Sequence, residues 1–304
     1  MASDVSAVSA VLADQLRRKR GRSPWWESVH TLFTRKYLAT FGLAVLVLLI
    51  LTAAFADVVA PYSPVAQDFP SALQPPSAQH LLGTDQLGRD LLSRMIHGAR
   101  TSIFVGVGVM LIAVTLGSIV GGVSAYRGGK FDVVVQRLVD AVQSVPSLLL
   151  LLTIISIIGP GMVNVILALG FRAAIGDSRV VRGAVLGIME NQYIEGAKAI
   201  GAGNLRILVR YVLPNIMAPI IVVGSLQLGA AILAESTLSF LGWGVPPPTP
   251  TWGGMLSNEA RRFMIDAPWM AIFPGLALSL AVYGINMFGD GLRDVLDPRL
   301  RGSR

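Results

Sequence analysis

Long stretches of this chain carry no charge, and their lengths set the first expectation. Tyr37 to Ala56, Thr101 to Tyr126, Tyr211 to Ala234 and Ala267 to Gly289 run for 20, 26, 24 and 23 uncharged residues. About 20 apolar residues carry a helix across the hydrocarbon core, so each run reads as a membrane span. Ala141 to Phe171 is uncharged for 31 residues, and Gly159-Pro160-Gly161 punctuates it with a turn signal. It therefore divides between two spans that take in a few charges at their ends. The pattern predicts an all-α membrane protein with six transmembrane helices, at about 37–59, 101–126, 134–158, 162–186, 211–234 and 267–289. A basic tail, 1–36, precedes this domain of residues 37–299, and a short tail, 300–304, follows it. Ala54-Phe55-Ala56 looks like a signal-peptidase site, but the long basic tail before it fits a retained anchor better.

The segments between the spans have patterns of their own. Residues 57–100 are polar and hold Pro61, Pro64, Pro70, Pro75 and Pro76. Leu91, Leu92, Met95 and Ile96 then take the spacing of an amphipathic helix, expected at the membrane surface. Phe240 to Val245 followed by Pro246-Pro247-Pro248 resists helix and strand alike. Pro219 lies inside an apolar run and predicts a bend. Tyr193 to Pro214 is the longest chemically mixed passage between two apolar blocks. Ile194 to Ile200 is helix-prone, and Gly201 and Gly203 stop it, as glycines past a helix end do. A short helix there, docked between two spans, would transmit force from a soluble partner. The same residues also suit an ordinary basic loop.

Composition agrees with a bilayer environment. Apolar residues make up 53% and charged residues 14%, against about 25% charged in soluble domains, and the mean hydropathy is +0.62. With no cysteine, disulfides and thiolate chemistry are excluded. His30, His80 and His97 form no metal-ligand spacing. The net charge of +7 follows topology rather than nucleic acid: 20 of the 25 Lys and Arg fall on one side of a six-span arrangement. That side, which holds both termini, is assigned to the cytoplasm. No G-x-x-x-x-G-K-[ST] phosphate loop occurs. Gly117 to Gly122 lies in apolar sequence, where glycines serve close helix packing. Ionisable residues deep in the spans, expected of an ion-coupled transporter, reduce to Asp140, Arg172 and Asp177.

Specific motifs then narrow the reading. Glu195-Gly196-Ala197, Gly201 and Leu213-Pro214 resemble the EAA signature of permease subunits in ABC importers, E-A-A, three residues, G, nine residues, I-x-L-P. Gly196 replaces the usual second-position Ala, and Tyr211 the usual Ile. His80-Leu81-Leu82-Gly83-Thr84-Asp85-Gln86-Leu87-Gly88-Arg89-Asp90 resembles the external segment of the dipeptide/oligopeptide/nickel branch. So do Phe240-Leu241-Gly242, Pro247-Pro248 with Trp252-Gly253, Phe273-Pro274-Gly275, and Gly289-Asp290-Gly291-Leu292-Arg293-Asp294 with Leu296-Asp297-Pro298-Arg299. The match is to the second permease of the pair. The chain departs from the family's W-x-x-Y-A-R stretch, with Ala174, Asp177, Ser178 and Arg179 in its places, and only the Arg179 end matches.

The resemblance implies a type I ABC importer permease fold with a cytoplasmic coupling helix, in the bacterial inner membrane. It implies a transport subunit without its own ATPase site and with no cofactor, ATP and Mg being held by partners. Those partners are a homologous permease, two ABC ATPases and an external substrate-binding protein. The implied cargo is short peptides; nickel or another small solute is the alternative, and an ion-coupled transporter acting alone stands further off. Ile194, Glu195, Gly196, Ala197, Gly201, Leu213 and Pro214 are the candidate ATPase-coupling residues. Ile194, Ala197 and Gly201, at i, i+3 and i+7, are the expected contact face. Asn164, Gln227 and Asn286 are polar residues inside spans, suited to the translocation path or to hydrogen bonds between helices. Arg172 and Asp177 are candidates for the interface with the partner permease.

Overall fold

The structure is a computed structural model that describes residues 37–296, the side chains of 258 and 259 excepted. The two tails and the Asp297-Pro298-Arg299 motif lie outside the described residues. Eight helices organise the rest: α1 Tyr37–Ala54, α2 Leu91–Arg127, α3 Gly129–Gln143, α4 Ser147–Ile158, α5 Met162–Met189, α6 Gln192–Ala199, α7 Asn204–Phe240 and α8 Trp269–Leu296. Among the described residues there is no strand, only an isolated bridge between Thr84 and Asp90.

Four of these helices, α1, α2, α7 and α8, are long and apolar enough to cross a membrane, and α3 with α4 makes a fifth if a bent pair counts as one. The expected third span is thus corrected. It breaks at Ser144-Val145-Pro146, and its halves meet at 88°. Pro146 has no N–H to continue the ladder and pushes the residue before it out of helical geometry. The expected fourth span is one 28-residue helix, α5, but its charges keep it out of the group of clearly apolar helices. The expected surface helix at Leu91 is corrected too: it is the first part of α2. The Asp90 carboxylate caps that start, accepting from the Ser93 N–H at 2.8 Å. α1 is interrupted at Phe55 and one further turn of helix, Ala56–Val59, carries it to the expected residue 59, while α7 extends beyond 211–234 at both ends.

Small residues let the helices close on one another. Gly121 of α2 lies so near α5 that a Cβ there would sit 2.1 Å from the Ser178 carbonyl oxygen. With Gly117 against Ala174 this forms a small-residue seam between α2 and α5. Gly42 brings α1 against the α8 backbone at Gly284 in the same way. At the end of the bundle away from α6, residues 60–90 fold as a compact layer on the helices. The Trp269 indole donates to the Thr84 carbonyl at 3.1 Å, Arg89 Nε donates to Asp85 at 2.6 Å, and His80 Nδ1 lies 2.9 Å from Asp90.

Candidate functional site

The mixed passage folds as a separate short helix. Asn191 is extended and starts α6; Glu195 lies in its first turn and Lys198 in its last, both favourable to the helix dipole. Gly201 takes φ +80, a conformation that β-branched residues resist. It closes a Schellman motif: the Ala202 N–H donates to the Ala197 carbonyl and the Gly201 N–H to the Lys198 carbonyl, at 3.0 and 2.9 Å. Eight residues are too few for an isolated helix to hold in water, so packing must hold α6.

That packing corrects the expected contact face. Ile194 is 0% exposed and Ala197 is buried, both turned inward. Ile194 belongs to a cluster with Ala125 of α2, Val181 and Val185 of α5, and Ile207, Val212 and Ile216 of α7. The two residues are anchors within the chain. Outward lie Tyr193, Glu195, Gly196, Gly201, Leu205 and Ile200, the last 82% exposed. A Cβ on Gly196 would meet nothing, so the departure from Ala there removes no contact within the chain. Leu213 and Pro214 are exposed, immediately after a π-helical stretch, Ile207–Val212. Here the Asn215 side-chain amide donates to the Tyr211 carbonyl at 2.6 Å. Across the gap, the Tyr126 hydroxyl donates to Asn204 Oδ1 at 2.9 Å and ties the end of α2 to the start of α7.

The polar residues inside the helices meet neighbouring helices. Asn164 donates to the carbonyls of Ile158 and Gly159, both at 3.0 Å, and so caps α4. Gln227 of α7 donates to Asp177 Oδ1 of α5 at 2.7 Å. Asn286 packs against Gly229, between α8 and α7. Asn164 and Gln227 thus make hydrogen bonds between helices, one of the two uses expected of them. Asp177 is buried between α2, α5 and α7 and is hydrogen-bonded within the chain. Arg172 is half-buried, its Nε has no hydrogen-bond partner, and no ion pair joins it to Asp177. The charges that do pair are Arg182 of α5 with Asp132 of α3, at 2.5 Å, and Arg179 with Asp140. They tie α3 across the α6 end of α5.

Residues 113–302 match the family model of the binding-protein-dependent transport system inner membrane component, and residues 23–76 match the N-terminal TM domain of oligopeptide transport permease C. This chain belongs to that transport family. The permease is 41% identical to the di/tripeptide transport system permease protein DppC of Pseudomonas aeruginosa, over 92% of each chain. It is 38% identical to the glutathione transport system permease protein GsiD of Escherichia coli, over 98% of this chain and 96% of that one. Among solved structures, the inward facing MetNI methionine ABC transporter matches with a TM-score of 0.52 at 20% identity. That match covers 66% of the permease and 93% of the other chain, and supports the fold. The chain is therefore a permease component of an ABC importer, a multi-pass inner-membrane protein, and the reading as an ion-coupled transporter acting alone falls.

Sequence reasoning passed over one residue of the permease. Glu235 of α7 is 0% exposed. It stands immediately after the uncharged run that defines the fifth span, so run length alone leaves it outside that span. The signal available was the length of the run of helix-compatible residues beyond it, Ser236 to Phe240.

Proposed function

We propose that this permease moves short peptides, received from an external substrate-binding protein, into the cytoplasm. It does so beside a homologous permease and two ABC ATPases. The peptide assignment is supported by the relatives named for di/tripeptides and glutathione. In this reading α1, α2, the bent α3–α4 pair, α5, α7 and α8 are six spans, with both termini cytoplasmic. The permease holds no ATP or Mg; its partners do.

The observation that carries the mechanism is α6, anchored inward by Ile194 and Ala197 while Glu195, Ile200 and Leu205 face outward. Outward apolar side chains fit a groove on an ATPase, and the Glu195 carboxylate meets a partner arginine in a charge-assisted hydrogen bond. Because the anchors reach α2, α5 and α7, movement of the ATPase is delivered to three helices together.

The test is reconstitution. The complex should co-purify with its ATPases and take up labelled dipeptide, and not nickel, when ATP and the binding protein are supplied. Orientation is read separately in this cysteine-free chain. Cysteine at Ser77 or Thr249 should react with an impermeant thiol reagent from outside, and cysteine at Gly203 should not. Nickel uptake without peptide uptake would overturn the cargo; outside labelling at Gly203 would overturn the topology.

A further inference from the structure

Glu235 is fully buried near the end of α7 far from α6, and the roles assigned above do not use it. A carboxylate withdrawn from water is unstable unless a cation or several donors replace its hydration. Ser239 donates to Glu235 Oε1 at 2.6 Å and Ser236 donates to Oε2 at 3.4 Å, a short and a long bond. Among the described residues no Lys, Arg or His is paired with it. An ionisable group left this way inside a membrane protein is retained for function.

The segment after α7 covers the two serines that hold the carboxylate. Gly242 ends the helix at φ +84, and the Val245 N–H then donates to Ser239 Oγ at 3.3 Å. Gly244 and Gly253 press backbone onto the same turn: a Cβ at Gly244 would sit 2.0 Å from Ser239 Oγ, and one at Gly253 2.1 Å from the Ser236 carbonyl oxygen. Trp252 fastens this cover to α2 by donating to the Met95 carbonyl at 3.1 Å. The cover is thus made of glycine backbone held by a few hydrogen bonds. It lies at the end of the bundle where, in the orientation proposed above, substrate arrives.

We propose that Glu235 is a cation site that receives the ammonium group of the substrate once this segment lifts. The inference rests on the peptide reading. Every unblocked peptide carries an α-ammonium whatever its side chains, so a carboxylate here selects for a free amino terminus without reading sequence. The two serine hydroxyls hold the carboxylate while the site is empty and are displaced by the stronger, charge-assisted donor.

The experiment compares dialanine with N-acetyl-dialanine as stimulants of ATP hydrolysis by the assembled complex. Binding of each to the external protein is measured separately and factored out. The wild type should favour the free peptide by at least about tenfold in half-maximal concentration, the scale of one ionic contact. Glu235→Gln keeps the shape and an acceptor for Ser239 while removing the charge, and should bring the two peptides within about twofold of each other. A preference that survives in Glu235→Gln, a loss of stimulation by both peptides alike, or a wild type indifferent to acetylation each overturns the proposal. Should Glu235→Gln fail to assemble, Glu235→Asp carries the test, with a raised half-maximal concentration expected for the free peptide alone. An equal shift for both then overturns it. If neither peptide stimulates the wild type although both bind the external protein, the peptide reading itself has failed and takes this inference with it.

Discussion

Replacing Ile194 with alanine tests whether α6 acts through its buried face. The side chain is completely enclosed by Val181, Val185, Ile207, Val212 and Ile216. Ile194→Ala removes three buried carbons, worth about 2.4 kcal/mol at ~0.8 kcal/mol for each. A cavity adds to this unless the neighbours close in, and Ile→Ala in cores costs about 2–5 kcal/mol. Even the transfer cost of about 2.4 kcal/mol alone multiplies the undocked population of α6 by about 60, since an eight-residue helix has little stability of its own. Amide hydrogen exchange over residues 194–202 of the assembled complex should therefore accelerate. Uptake per ATP hydrolysed should fall, while peptide binding to the external protein stays normal. Gly196→Ala is the matched control: its new methyl meets open space and its helix propensity improves by about 1 kcal/mol. Unchanged exchange and normal coupling in Ile194→Ala would refute the idea that inward anchoring transmits force.

Other expectations follow from single contacts. Gly201→Val places a β-branched residue at φ +80 and should cost at least about 1–2 kcal/mol locally, lowering ATPase co-purification without affecting membrane insertion. Gln227→Leu strips Asp177 of its hydrogen-bond donor and should lower the stability of the complex by about 1–3 kcal/mol; in an Asp177→Ala background the same change should cost little, and equal losses in both backgrounds would remove the contact from the account. Asp57 is held below the usual carboxylate range by hydrogen bonds from Arg100 and from His97. A depressed carboxylate stabilises above its unfolded pKa and loses that contribution as pH falls through the folded value. Melting temperatures taken between pH 5 and 3 should therefore fall further for the wild type than for Arg100→Gln, and parallel curves would sink the assignment.

The large outlines were legible because they depend on run length alone. Uncharged runs located α1, α2, α7 and α8, and the spacing from Glu195 to Pro214 located the passage that folds as α6. What failed was direction. A helical period shows that Ile194 and Ala197 share a face, but that face points at Val185 and Val212, which only the tertiary arrangement brings there. Gln227 and Asp177 are 50 residues apart, so their hydrogen bond had no local sign. Pro146 was hidden differently: it sits in a 31-residue run without charge, and Gly159-Pro160-Gly161 was the more conspicuous break. Glu235 has no local sign either: the turn that holds it, Ser236 to Ser239, is packed by Gly244, Val245 and Gly253, residues whose own sequence reads as loop.

The seam between α2 and α5 has a mechanical consequence. Where Gly121 meets the Ser178 carbonyl there are no side chains to slide past one another or change rotamer. Two helices joined backbone to backbone are a plate rather than a pair of rods. A transport cycle therefore has to turn this plate as a unit, with its compliance placed at the plate's borders. The 88° corner at Ser144-Val145-Pro146 and the Gly201-Ala202-Gly203 joint are such borders, one on each side of α5 in the chain. Stiffening either joint should slow the cycle, whereas widening the seam should dissipate the stroke before it reaches the far end of the bundle.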